Sequence, residues 1–376
     1  MPPRLRGFDF FRAIGSPQRI VAPMVDQSEL AFRLLTRAHG AELCYTPMFH
    51  SRLFAESADY RRKMFETHVR DRPLIVQFCG NDPATVLAAA RHVEHHCDAV
   101  DLNLGCPQGI ARKGRYGSFL MKEKKVVQSI VETLSQNLSI PVTVKIRIFP
   151  DRQETLEFCD MLQKAGADLL CVHGRTKEMN KREIQEVDWS IIKEIKQRLT
   201  IPVIANGGIE TWDDIQTCLD ATGADGVMSS EAILEYPALF SKDTEAAAKL
   251  RYVDLAKQYL AMAQEHPPAS EKIIRAHLFK LVFQDLMVHT DLRTSLASAR
   301  TRDEMIAIVD ELDTRVSATP VVYSATASWY RRHRRGQEKQ LARENEAAQQ
   351  KKKRDRDEVD AAADDLGQPE PKIAAA

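Results

Sequence analysis

The chain has 376 residues, 44% hydrophobic and 28% charged, with 53 Lys+Arg against 53 Asp+Glu; its formal net charge is zero, so nucleic-acid binding must be judged from local clustering. Its seven cysteines are widely spaced and include no C-x-x-C pair, which argues against a disulfide framework and a zinc site and for a reducing compartment. No apolar run reaches the ~18 residues needed to span a bilayer, and Met1–Arg12 has no apolar signal core, so no membrane association is expected and the location is expected to be cytoplasmic.

Along the chain, a short β-branched or apolar run followed by a helical pattern occurs eight times. The runs are Arg19–Ala22, Leu43–Tyr45, Leu74–Phe78, Ala99–Leu104, Val142–Ile148, Asp168–Val172, Pro202–Ala205 and Gly226–Ser229. Helices are expected over Glu29–Ala38, Pro83–Cys97, Lys124–Leu138, Gln153–Lys164, Trp189–Leu199, Trp212–Ala221 and Glu231–Phe240. Asp82 reads as an N-cap ahead of Pro83 at the first helical position. Between the second and third runs a long loop with a short helix near Tyr60–Phe65 is expected. From Glu245 the rhythm gives way to amphipathic helices over Ala246–Glu265, Ala269–Leu286 and Asp303–Arg315, the first two separated by Pro267-Pro268. Arg331–Arg354 then carries ten Lys/Arg against three Asp/Glu, and an acidic, Ala-rich end follows.

Eight strands alternating with helices predict an α/β fold, a (β/α)8 TIM barrel over residues 1–243. A small all-helical domain is expected at 244–322 and a charged, largely disordered tail at 323–376. A doubly wound open sheet is the rival; against it, Pro23-Met24-Val25-Asp26-Gln27 after the first run has no G-x-G-x-x-G.

Barrel enzymes build their sites at the C-terminal ends of the strands. Those ends carry Pro23, Met24 and Val25; Gln77; Asn103 through Cys106; Lys145 and Arg147, two apart and so on one side of a strand; His173 and Arg175; Asn206, Gly207 and Gly208; and Ser230 with Glu231. Each is ordinary alone, and a lone cysteine is usually a small buried hydrophobe. Their meeting on one rim is what points to a site. The turns after the seventh and eighth runs occupy the usual barrel phosphate position, where backbone N–H groups meet a helix N-terminus. A lysine on a barrel strand needs an anionic or electron-rich partner, and the Gln77 amide suits a ring edge of alternating donors and acceptors.

Asn103-Leu104-Gly105-Cys106-Pro107 resembles the signature of the tRNA-dihydrouridine synthases. Ala22–Val25, Gln77, Lys145–Arg147, His173–Thr176 and Asn206–Gly208 resemble the other motifs of that family in order, over roughly residues 16–320. Met24–Ser28, Cys44–Met48 and His277–Leu281 look most like the eukaryotic subfamily acting at D-loop positions 16 and 17. The resemblance implies an enzyme that reduces the uracil 5,6 double bond in tRNA with FMN and NADPH: hydride to C6, and a proton to C5 from Cys106. It implies that Pro23, Met24, Val25, Gln77, Lys145 and His173 contact FMN, that Asn206, Gly207, Gly208, Ser230 and Glu231 hold its phosphate end, and that Asn103 and Arg147 face the flavin or the base. Many bacterial members have Gly-Arg where this chain has Ser230-Glu231, so its phosphate contacts would rest on backbone N–H groups.

Arg175, Lys272, Arg275 and Lys280 are the remaining candidate substrate contacts, and charges on an amphipathic helix are commonly just its solvated face. The basic stretch 331–354 reads as an RNA footprint or, at Lys351–Arg354, a nuclear-import signal, and no metal is expected. Two alternatives stand beside this reading. One is an FMN barrel oxidoreductase acting on a free pyrimidine; the other is a non-catalytic RNA-binding barrel.

Overall fold

The eight expected runs form strands, and their register closes a ring. The computed structural model describes residues 4–180, 183–324 and 328–331. The strands are β1 (Arg19–Val21), β2 (Leu43–Tyr45), β3 (Phe49–His50), β4 (Leu74–Cys79), β5 (Ala99–Leu104), β6 (Val142–Arg147), β7 (Leu169–His173), β8 (Val203–Asn206) and β9 (Gly226–Ser229). All pair in parallel: β1 with β2, β2 with β4, then neighbour to neighbour up to β9, which returns to β1. This is a closed (β/α)8 barrel.

The ninth strand, β3, was not expected. Cys44 and Tyr45 of β2 pair with Leu74 and Ile75 of β4, and Phe49 and His50 of β3 with Phe78 and Cys79 further along. Pro47 lies between and has no N–H to continue a ladder. Thr46 fills the break: its amide donates to Ile75 O (3.0 Å) and its hydroxyl accepts from Gln77 N (3.1 Å). The two short strands are thus one barrel stave interrupted at a proline.

Side chains alternate across each strand, and the inward set changes character along the barrel axis. At the N-terminal end Ile20, Leu43, Ile75, Ala99 and Leu169 form an apolar cluster with Phe10 and Phe11. The two phenylalanines come from an unexpected helix, Gly7–Ala13, which closes this floor. At the opposite end the inward positions are Gln77, Asp101, Asn103, Lys145, Arg147, His173 and Asn206, and all but the half-buried His173 are buried. The outward set, including Val76, Leu102, Val144, Ile146 and Val172, packs with the surrounding helices in the main core.

The helices follow expectation where caps are clear. Asp82 accepts from Thr85 N (2.8 Å) ahead of Pro83–Arg91, Asp151 caps Arg152–Lys164, and Asp188 caps Trp189–Arg198. Two expectations are corrected. Glu231–Phe240 is not one helix: Glu231–Glu235 ends before Pro237, which starts a 3₁₀ turn, Pro237–Phe240. The loop after β2 is more ordered than expected, with helices Ser51–Glu56 and Ala58–Met64. It is tied down by Asp71, buried and paired with Arg33 (2.7 Å) and Arg37 (3.1 Å) of the preceding barrel helix.

After Ser241 come helices Thr244–Ala248, Tyr252–Glu265, Glu271–Leu281, Phe283–Val288, Thr290–Ser298 and Arg302–Ala318. They pack on the barrel through a buried polar contact. Glu29 accepts from Tyr259 OH (2.8 Å), its other oxygen lies 3.0 Å from His277 Nε2, and the His277 ring stacks on Phe32 (4.7 Å). Residues up to Tyr330 cluster as one unit. Tyr323 OH donates to Asp285 (2.8 Å), so the start of the expected tail contacts these helices. Its basic and acidic remainder, residues 332–376, lies outside the described residues. No helix among the described residues is long and apolar enough to cross a membrane.

Candidate active site

The rim is organised by a chain of hydrogen bonds whose direction is set at one end. Asp101, buried on β5, accepts from Thr143 Oγ1 (2.6 Å) and from Gln77 Nε2 (2.8 Å). An ionised carboxylate only accepts, so the Gln77 amide must point its nitrogen there. Gln77 Oε1 then accepts from Asn103 Nδ2 (2.7 Å), and Asn103 Oδ1 is left to accept from Gly105 N (3.2 Å) and Cys106 N (3.0 Å). Asp101 thereby orients two amides and holds the backbone of the cysteine loop. It escaped the sequence reading, because an acid inside an apolar strand gives no local sign of its partners.

Burial pushes Asp101 up to about 6, against the opposing pull of Thr143, Gln77 and Lys145. A raised carboxylate adds stability below its unfolded value near 3.8 and loses it as pH rises through about 6. Asp101→Asn can still accept from Gln77 and can donate to the Thr143 hydroxyl. This variant is therefore expected to keep activity and to gain up to about 3 kcal/mol over wild type at pH 8 (~1.4 kcal/mol per unit) but little at pH 4. Asp101→Leu, which cannot accept, is expected to lower turnover about tenfold or more. Denaturant melts at the two pH values and assays of both variants check this; an inactive Asp101→Asn would contradict the positioning role.

Cys106 follows β5 on the rim. The other six cysteines are buried; Cys106 is partly accessible. Burial raises its thiol above the ordinary value, and the Gln108 backbone and the positive Arg147 and Lys145 only partly counter that. The loop is clamped from its far side: Ser118 donates from both N (3.1 Å) and Oγ (3.0 Å) to Cys106 O. Gly117 has φ +63°, and a Cβ there would fall 2.6 Å from Cys106 O, so only glycine fits. Arg147 braces the near side, donating from Nε to Gly105 O (2.9 Å) and from Nη1 to Thr176 O (2.8 Å). Through these bonds Arg147 braces the loop.

Across the barrel, Lys145 Nζ is buried and donates to Asn206 Oδ1 (2.7 Å); Asn206 Nδ2 donates to Met228 O (2.9 Å). Asn206 Oδ1 is its one hydrogen-bond acceptor among the described residues, and desolvation lowers its affinity for the proton. His173 is held well below its usual range by burial and by the positive Arg147, Lys145 and Arg175, so it is neutral at pH 7. Gly207 and Gly208 have φ of +104° and +80°, and neither backbone N–H donates to a protein acceptor among the described residues. Trp189 Nε1 pins the turn by donating to Gly207 O (3.1 Å). Ser230 is half-buried beside it, 3.3 Å from Asn206 Nδ2. A turn offering unpaired N–H groups suits an anionic oxygen.

The remaining candidates separate. Pro23 and Met24 are half-buried at the end of β1, while Val25 is 48% exposed. Glu231 is exposed, and Arg175 donates to Gln185 O (2.7 Å) and lies 3.3 Å from His173 Nε2. The three helical candidates differ in how they are held. Arg275 donates to Ala299 O (2.5 Å), and Lys280 is buried, bonds Gln27 and Ala276 O, and sits 5.1 Å from the Trp329 ring. Both make contacts within the fold, and Lys272 is exposed. Among the described residues no cluster of His, Cys, Asp and Glu could hold a metal.

A closed parallel barrel whose strand ends carry a thiol, a buried lysine, oriented amides and a glycine turn has the rim of a barrel enzyme. The profile described as Dihydrouridine synthase (Dus) matches residues 20–319, and the chain belongs to that family of oxidoreductases. A Rattus norvegicus protein named tRNA-dihydrouridine(16/17) synthase-like is 47% identical over 317 residues, covering 83% of this chain and 71% of that one. A Schizosaccharomyces pombe tRNA-dihydrouridine(16/17) synthase is 48% identical over 308 residues, 79% of this chain and 77% of that one. A Saccharomyces cerevisiae protein of the same name is 46% identical over 305 residues, 78% of this chain and 72% of that one. The names of all three specify NAD(P)(+).

Proposed function

We propose that this protein reduces uridines at positions 16 and 17 of the tRNA D-loop, with FMN as its resident cofactor and NADPH as the source of electrons. The observation that carries this reading is Cys106, the one partly accessible thiol, fixed by Asn103 and Gly117 on a rim that faces donors without protein partners. The named 16/17 relatives support the substrate positions.

The residues present fit a flavin mononucleotide. Unpaired N–H groups at Gly207 and Gly208 suit its phosphate, and the unmatched hydrogens of buried Lys145 suit its electron-rich ring edge. The oriented Gln77 and Asn103 amides and the neutral His173 complete the polar wall, with Pro23 and Met24 as an apolar one. Bound there, FMN supplies the hydride that uracil receives at C6. Hydride addition leaves negative charge at C5, and Cys106 holds the proton that satisfies it. Its raised affinity for that proton keeps the thiol loaded at neutral pH. Neutral His173 beside Lys145 and Arg147 adds no further positive charge. The target base leaves its stack to reach the mouth, which is easiest in a loop whose bases are not in regular duplex.

Dihydrouridine mapping by tRNA sequencing tests this. Cells lacking the protein are expected to lose the modification at positions 16 and 17, and wild-type protein to restore it. An unchanged map in the deletion strain overturns the substrate assignment.

A further inference from the structure

We infer that the segment following Cys106, residues 108–125, is a contact surface for the sugar–phosphate backbone of the RNA substrate, with Arg112 and Lys113 as its main anchors. The inference rests on the tRNA reading above and places the partner on a named surface.

Local charge is the first observation. These 18 residues hold six cations and one acid, Glu123, within a chain whose net charge is zero. Arg115 pairs with Glu123 (3.0 Å) and Lys124 with Glu154 (3.0 Å). Arg112 and Lys113 are exposed and take part in no ion pair or side-chain hydrogen bond among the described residues. Folding therefore gives no account of these two charges.

Position is the second. The short helix Gly109–Gly114 buries only Ala111; Ile110 stands 65% exposed beside the two cations. An apolar side chain left in water next to unpaired positive charge suits a surface that meets both bases and phosphates. The segment is fixed rather than trailing. Asn81 Nδ2 donates to Gly114 O (3.3 Å), the Tyr116 ring packs edge-on against His50 (5.5 Å), and Ser118 holds Cys106 O. The segment that carries the cations is thus held beside the cysteine loop. In the helical region, by contrast, Arg275 and Lys280 are engaged internally.

Full-length flavin-loaded enzyme and a tRNA transcript test this by binding titrations across a salt series. Each lost phosphate contact should lower the slope of log K against log salt by about 0.7–0.9. The double variant Arg112→Ala/Lys113→Ala is expected to bind roughly tenfold or more weakly at low salt, to lose about 1.5 from the slope, and to raise KM for tRNA with little change in kcat. The Gln/Gln double variant, closer in shape, should repeat this. Reduction of bound flavin by NADPH without tRNA should not change, which excludes misfolding. A double variant with wild-type affinity and slope overturns this surface alone. A wild-type enzyme that binds no tRNA overturns the tRNA reading and this surface with it.

Discussion

Cys106→Ala is expected to lower dihydrouridine formation by about 10²- to 10⁴-fold, the range for removing a positioned general acid. The loss should fall on one half of the reaction only. Reduction of the bound flavin by NADPH needs no proton at uracil C5, so its rate should match wild type. Mixing pre-reduced enzyme with tRNA and timing product in a single turnover separates the halves. The same experiment reports the acid itself. Burial raises the Cys106 thiol, so the wild-type rate should be flat through neutral pH and fall only in the alkaline range as the proton is lost. Unimpaired turnover in Cys106→Ala would remove the thiol from the mechanism.

Lys145→Met carries the second large effect. A hydrogen bond from a charged donor contributes about 1.5–3 kcal/mol, so FMN should bind roughly 10- to 150-fold more weakly. The apoprotein should not lose stability in step. Burial lowers the proton affinity of Lys145, which means the fold tolerates its charge rather than depending on it. Replacing it removes that penalty, partly offset by leaving Asn206 Oδ1 without its donor. Flavin titration with a denaturant melt of the apoprotein checks the split. A variant that melts early yet retains flavin would make Lys145 a structural residue.

The barrel was legible because its strands repeat a short apolar run, and its rim because polar residues cluster where those runs end. The cysteine loop was legible from Asn103–Pro107 alone. What escaped depended on contacts distant in sequence. Asp101 looks like any strand acid until Thr143 and Gln77 are seen to converge on it. The carbonyls that Arg147, Arg275 and Lys280 meet in the fold were equally hidden, because a cation does not announce its acceptor. The break at Pro237 and the interrupted stave at Pro47 were written in the chain, since proline lacks the donor that both elements needed. The charge of residues 108–125 is equally plain in the chain, but it lies beyond the end of a strand and inside no motif.

The apolar floor sealed by Phe10 and Phe11 separates two properties of the molecule. Inside the ring, one end is closely packed apolar side chains, where a single lost methylene is felt. Reactivity is concentrated at the other, among side chains that meet solvent or ligand. A substitution at the mouth therefore disturbs the polar chain there before it disturbs the packing of the floor.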